Sequence, residues 1–380
     1  SQSQSTNWDR ALLFTAQFGW KDMVYVDASY RQDWYRAFKQ WKDRGTSASY
    51  GYFGIGANAI LSSLFKMPEM INYLKYRVSY SEVGNSVPNI FYSKSSVSYY
   101  DGSVQLSNFA SFRNPKPETT KSWETGIESL LFNNRLTFDF TFFNAVSQDQ
   151  YMLANNAGGK AEPVNSGKIR NRGFEMTLGY DFHFGQDWRW KTAVNFSYDK
   201  NKILETTYND DGSEKLVYQE VAGIRVRYRK GGSIGDMYVT DFKRNADGTF
   251  VLSSDDASEA RLVRDTENPF GTFIGNMNSK FQLGWSNTIN WKDFQLYFLI
   301  NGRIGGKVIS VTEAYLDNYG LSKRSANARL AAEAYGWYDA SGNALMPVPD
   351  GSGCMMTVQN YYQSIGEMKN PSEYVYNPTN

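Results

Sequence analysis

SWETGIESLLFNNRLTFDFTFFNA, residues 122–145, decides the fold class. Its second half alternates without a break: Leu136, Phe138, Phe140 and Phe142 are apolar, and Thr137, Asp139 and Thr141 between them are polar. Period two is the mark of a β-strand with two unlike faces. Ahead of it stands Asn133-Asn134, and asparagine suits the φ > 0 positions of a two-residue hairpin turn. With that turn, Leu131 faces Leu136, Ile127 faces Phe140 and Thr125 faces Phe142, so the apolar faces coincide. A slip of one residue would set each against a polar neighbour. The same register sets Glu128 directly opposite Asp139 on the polar face.

The pattern recurs outward in both directions. Leu12, Phe14, Ala16, Phe18 and Trp20 share one face. Val24, Val26, Ala28 and Tyr30 oppose Asp27, Ser29, Arg31 and Asp33. Leu74, Tyr76, Val78 and Tyr80 oppose Lys75, Arg77, Ser79 and Ser81. Similar runs fall over 174–182, 190–199 and 294–303, and weaker ones near 50–65, 120–132 and 280–291. The total is about ten strands. Their connections alternate. Short ones fall at Lys21-Asp22, 66–72, Asn133-Asn134, 183–187 and Lys292-Asp293; long ones at 35–49, 83–119, 147–168 and 200–279, with a long tail after Arg303. Short turns on one side and long loops on the other characterise outer-membrane β-barrels. Trp20, Trp34, Trp188, Trp190 and Trp291 stand at or near strand ends, where an interfacial aromatic girdle would sit. A partial transmembrane antiparallel barrel over 1–380 is the expected architecture.

Alternation alone leaves the faces open. The polar residues Asp27, Arg31, Asp33, Arg77, Glu124, Glu128, Asp139 and Glu175 suit the wall of a water-filled lumen, and they equally suit the solvated face of a soluble β-rich carbohydrate-binding module or enzyme. The loop order favours the lumen. A net charge of +1 gives no reason to expect nucleic acid as a partner. One cysteine, Cys354, excludes an internal disulfide framework, and one histidine, His183, removes the commonest general base and most zinc chemistry. Mean hydropathy is −0.54, which in a barrel reflects averaging over alternating strands. The polar start SQSQSTNWDR lacks the features of a signal peptide, and the true N-terminus is expected to lie upstream.

Opposed carboxylates such as Glu128 and Asp139 destabilise a sheet unless bridged. A cation site and a retaining-glycosidase pair are conceivable; neutralisation by a lysine or arginine on a neighbouring strand is the favoured reading. No catalytic residue, metal ligand or cofactor is therefore assigned. The glycines at 231–232 and 302–306 lack the context of a phosphate loop and read as turn residues. Asn245–Gly248 reads as a hairpin tip and Ser322–Ala334 as a loop helix, a candidate docking surface. Among the loop aromatics, Tyr99, Tyr100, Phe112, Tyr238, Tyr319, Trp337 and Tyr338 are candidate substrate contacts, because aromatic rings stack on sugars or grip peptide side chains.

Four segments carry a family resemblance: KYRVSYSEVGN (75–85), PETTKSWETGIE (117–128), NSGKIRNRGFEMTLGY (165–180) and IGNMNSKFQLGWSNTINWKDFQLYFLINGRIGG (274–306). In order and spacing they resemble the SusC/RagA family of TonB-linked outer-membrane transporters. The resemblance implies roughly strands ten to nineteen of a 22-stranded barrel, with the plug, the signal peptide and the last strands outside this chain. It implies energy-coupled import of oligosaccharides or peptides across the outer membrane of a Bacteroidota-like bacterium. The implied partners are a SusD-like lipoprotein lid, TonB acting through the plug region, and outer-membrane lipid. A siderophore or cobalamin receptor is the alternative on the same architecture; the four segments argue against it.

Overall fold

The structure, a computed structural model, describes residues 9–39, 45–88, 97–100, 103–106, 115–155, 161–209, 212–214, 217–221, 224–268, 271–366 and 371–377. The chain forms two compact units. The first comprises residues 1–217, 228–234 and 280–304; the second 218–227, 235–279 and 305–380.

The first unit holds a ten-stranded sheet in which every strand neighbours the next in sequence. Its strands are β1 (Asp9–Trp20), β2 (Val24–Tyr35), β3 (Ser49–Ile60), β4 (Ile71–Asn85), β5 (Glu118–Leu131), β6 (Leu136–Gln148), β7 (Lys168–Phe184), β8 (Trp188–Glu205), β9 (Phe281–Trp291) and β10 (Phe294–Ile304). All nine pairings are antiparallel. The expected registers hold: Leu131 faces Leu136, Ile127 faces Phe140, and Ile289 faces Leu296. The hairpin tip works as its asparagines require, with Asn133 at φ 57° and Asn134 at φ 62°. Lys21 and Asp22, at φ 50° and 54°, make the turn after β1.

Register aligns the apolar positions into one continuous face. Phe18 pairs with Val26 and Val26 with Ala57; Ala57 pairs with Val78 and Val78 with Thr125. Rings continue the face laterally, Phe140, Phe174, Phe196 and Phe281 standing 5.8, 5.6 and 5.5 Å apart between centroids across four strands. The face is exposed: Phe14, Phe18, Phe294 and Leu296 each keep more than half of their surface. A water-soluble protein rarely leaves so extended an apolar surface open. In a membrane barrel it is the outer face. Trp20, Trp188 and Trp291 gather at the short-turn ends, and Trp188 stacks on Trp291 at 5.4 Å.

In the second unit the long connections have a core of their own, built from Phe242, Phe250, Leu262, Ala314, Val348, Met356, Tyr361, Ile365 and Tyr374. Asn245–Gly248 is the hairpin tip expected: Asn245 N donates to Thr249 O and Gly248 N to Asn245 O. Three helices follow, α1 (Val311–Asn318), α2 (Lys323–Tyr335) and α3 (Val358–Ile365). Ser310, Ser322 and Thr357 cap them by accepting from Glu313, Ser325 and Asn360 amides, which satisfies otherwise orphaned donors. Gly336, at φ 69°, ends α2 in the left-handed conformation.

Candidate functional site: the polar face and a cleft in the loop unit

Six of the eight polar side chains singled out from sequence lie in three rows across the strands, on the sheet face opposite the aromatic one. Asp27 pairs with Gly56, Gly56 with Ser79, and Ser79 with Glu124. In the next row Asn58 pairs with Arg77, Arg77 with Gly126, Gly126 with Thr141, and Thr141 with Glu175. In the third, Lys75 pairs with Glu128, Glu128 with Asp139, and Asp139 with Thr177.

Glu128 and Asp139 are thus directly opposed, and each has a cation from β4. Lys75 Nζ lies 3.5 Å from Glu128. Arg77 spans the whole of β5 and donates two parallel bonds to Asp139, at 3.0 and 2.8 Å, with a third to Thr141. The crossing is possible because β5 carries a glycine beneath it. A Cβ on Gly126 would stand 2.9 Å from Arg77 Nε and 2.8 Å from the Phe140 carbonyl oxygen. Lys75, Arg77, Glu124, Asp27, Asn58 and Thr141 line a hollow of about 180 Å³. Further along, Glu175, Thr177, Asn195, Gln282, Asn301 and Arg303 line another of about 480 Å³. In the first hollow Lys75 and Arg77 are ion-paired, to Glu128 and Asp139; the second combines amides and hydroxyls with Glu175 and Arg303.

Arg31 and Asp33 behave differently. Asp33 accepts from Arg31 Nε at 2.7 Å and from the Tyr35 hydroxyl at 2.8 Å, and only 4% of it is exposed. It was expected to face open water in a lumen. It instead anchors a buried tyrosine pair, Tyr35 and Tyr52, at the long-loop end of the sheet. Gly84 makes room for that pair, since a Cβ there would collide with the Tyr52 phenol.

A polar couple on the apolar face escaped the sequence reading. Thr192 and Asn287 face each other across β8 and β9. The Trp190 indole N–H donates to Asn287 Oδ1 at 2.9 Å, and the Trp285 indole donates to Thr192 Oγ1 at 2.8 Å. Asn287 is fully buried beneath its neighbours. Two tryptophans thereby cover two polar groups that lipid could not satisfy. The signal in the sequence was a polar break at the same level in two adjacent apolar runs.

The loop aromatics divide. Phe112 lies outside the described residues, as do the side chains of Tyr99 and Tyr100. Tyr238 is a correction: it is 7% exposed, with its ring 5.4 Å from Phe273 and 5.6 Å from the Arg227 guanidinium, so it packs the loop unit instead of offering a contact. Trp337 stacks on Tyr335 at 4.6 Å, and Tyr338 is exposed. Tyr319 is 66% exposed and lines a cleft of about 490 Å³ among the helices, together with Asn318, Arg329, Asn343, Gln359 and Gln363. Asp317 also borders the cleft, but its carboxylate is fully buried and accepts from Arg324 Nε and the Tyr374 hydroxyl, both at 2.8 Å.

The geometry defines a class: an antiparallel membrane-barrel wall with one lipid-compatible face, one polar face and elaborate loops. The sequence profile described as "TonB dependent receptor-like, beta-barrel" matches residues 1–301, and the chain belongs to that family. Relatives include the TonB-dependent receptors P3 and P39 of Formosa agariphila. P3 is 28% identical over 294 residues, covering 69% of this chain and 29% of the relative. P39 is 24% identical over 370 residues, covering 82% and 33%. This chain therefore spans about a third of the length of these relatives. A solved structure of the RagAB peptide transporter superposes with TM-score 0.65 at 18% identity, covering 82% of this chain and 34% of that one. The closed-closed state of the RagAB peptide importer gives 0.67 at 15% identity, with 97% and 39% covered. The fold is of the SusC/RagA type. Proteins of this family are outer-membrane transporters and not enzymes.

Proposed function

We propose that this chain forms wall, lumen surface and external loops of an active importer of oligomeric nutrients, oligosaccharides or peptides, in the outer membrane of a Bacteroidota-like bacterium. A SusD-like surface lipoprotein closes over the loops, and TonB drives the cycle through a plug region. The carrying observation is the pairing of one extended, exposed apolar face with one polar face on which the opposed carboxylates Glu128 and Asp139 are each paired with a cation. Such a wall shields lipid on one side and presents hydrogen-bonding groups to a passing solute on the other. The likeness in fold to a peptide transporter supports the reading, as does kinship with TonB-dependent receptors.

The test is affinity capture of the intact receptor from detergent-solubilised outer membranes, followed by uptake assays in cells with and without TonB. The expected result is a stoichiometric lipoprotein partner and TonB-dependent accumulation of an oligomer too large for passive porins. Accumulation that persists without TonB refutes the reading, and so does a receptor recovered without a lipoprotein.

A further inference from the structure

We propose that the outward face of β7 and β8 carries, at its long-loop end, a binding site for a phosphate-bearing glycolipid of the outer leaflet. The inference rests on the outer-membrane placement of the family and not on the importer reading.

Four cations make the site. Arg170 pairs with Lys202 and Arg172 with Lys200, so like charges stand directly opposite one another on two successive levels. The next levels pair Phe174 with Tyr198 and Met176 with Phe196. Alternation therefore puts all four cations on the aromatic, lipid-facing side. Arg172, Lys200 and Lys202 are exposed, and Arg170 is partly buried. Opposed like charges destabilise a sheet, and elsewhere on this sheet cations are answered from within. On the level of Arg170 and on the same face, Lys121 has Glu82 at 3.3 Å. Glu205, at the end of β8, is taken by Lys168 at 3.7 Å. Among the described residues no carboxylate pairs with any of the four.

Their depth agrees. Phe182 stacks on Trp190 in the girdle at the short-turn end. From there to Arg172 is about 34 Å along the strand, or roughly 26 Å of rise at a tilt of ~40°. The apolar band of an outer-membrane barrel is ~25 Å tall, so the cations begin where lipid tails end and headgroups start. Trp123, exposed on the level of Arg172, stands where an interfacial tryptophan is expected.

The occupant is therefore anionic at its head and apolar below it. Guanidinium and ammonium groups converging from two strands suit phosphate, which arginine takes with paired N–H bonds. Basic clusters at headgroup depth recognise anionic lipid in this way. A phosphorylated glycolipid meets both demands, with its acyl chains laid over Phe174, Phe196 and Tyr198. A soluble protein with an acidic surface meets only the first, because the cations run directly into lipid-facing rings.

Native mass spectrometry of the intact receptor in detergent, titrated with diphosphoryl lipid A, tests the assignment. Lipid A is expected to bind, and dephosphorylated lipid A and inorganic phosphate to bind about tenfold more weakly or worse. Arg172→Gln/Lys200→Gln should weaken lipid A binding about thirtyfold (~2 kcal/mol for two cations). Arg172→Lys keeps the charge and should retain binding. Lys66→Gln/Lys191→Gln removes two exposed cations elsewhere and should change nothing. Urea titration in vesicles separates binding from folding. Without lipid A the Arg172→Gln/Lys200→Gln variant should be at least as stable as wild type, because repulsion is relieved, and the ranking should invert once lipid A is added. The proposal is overturned if lipid A does not bind, if its phosphates make no difference, if inorganic phosphate binds as tightly, or if Arg172→Gln/Lys200→Gln binds no worse than Lys66→Gln/Lys191→Gln.

Discussion

Replacing Arg77 by Met removes the cation that reaches over β5 while keeping an unbranched apolar stem. The structure sets the size of the loss. The fork makes two bonds of 2.8 and 3.0 Å to Asp139, but the two side chains are 33% and 36% exposed. Fully exposed pairs contribute ~0.2–1 kcal/mol and breaking buried ones costs ~3–5 kcal/mol, so roughly 1–2 kcal/mol fits this intermediate setting. A second penalty follows, because Asp139 then faces Glu128 without compensation, and opposed like charges cost up to ~1 kcal/mol. Arg77→Met should therefore destabilise the barrel by roughly 1–3 kcal/mol. Asp139→Asn should cost less, since Arg77 keeps Thr141 as a partner and the clash with Glu128 disappears. The double variant should be more stable than the sum of the two singles predicts, by ~1–2 kcal/mol. Urea titration of the intact receptor in lipid vesicles, followed by tryptophan fluorescence, measures all four corners of the cycle. Additivity within ~0.5 kcal/mol would show no coupling and refute the reasoning.

Three further outcomes are expected. Gly126→Ala should destabilise by ~1–3 kcal/mol in the same urea assay, because its Cβ meets both the Phe140 carbonyl and the Arg77 guanidinium; a neutral result would mean that the arginine does not cross there. Trp190→Phe leaves Asn287 Oδ1 without its donor and should cost ~1–3 kcal/mol, most of which Asn287→Leu in the same chain should restore; failure of that rescue would refute the covering role. In the loop unit, hydrogen bonds from Thr249, Ser258 and Asn343 hold the Asp247, Asp256 and Asp339 carboxyls below the usual range. Groups depressed in the folded state contribute stability above their ordinary value of 3.8, and that stability is lost as pH falls through the folded values. Hydrogen exchange at these three turns should therefore be protected equally at pH 5 and pH 7 once corrected for intrinsic rate, and protection should fall below about pH 4; loss between pH 5 and 7 would contradict the assignment.

The strands were legible because a two-residue period and a turn chemistry fix register together. Asn133-Asn134 alone aligned Leu131, Ile127 and Thr125 with their partners, and the opposition of Glu128 to Asp139 came with it. The partner of Asp139 was less legible. Arg77 sits two strands away, and only the glycine between them hints that a side chain passes over. Asp33 and Tyr238 misled because alternation and exposure are different properties: each occupies a position that suits solvent, yet nearby rings and hydroxyls enclose it. The core of the loop unit was not legible at all. Its members come from 242–262 and 314–374, and no periodic run joins them.

The sheet and the loop unit neutralise charge by the same device, a guanidinium engaged by a carboxylate of its own unit. On the sheet Arg77 takes Asp139, and among the helices Arg324 takes Asp317. In both places amides stand nearby: Asn195, Asn301 and Gln282, beside Glu175 and Arg303, in the larger hollow of the wall, and Asn343, Gln359 and Gln363, beside Arg329, in the cleft. Hydrogen bonds to such groups are individually worth only ~0.5–1.5 kcal/mol. A solute held by a few of them is oriented and then released quickly. A carboxylate or guanidinium left open would hold a charged solute more tightly, with bonds of ~1.5–3 kcal/mol each, and would slow its exit. For a wall along which cargo must move, each guanidinium engaged by a carboxylate of its own unit removes two such strong contacts from the solute's path.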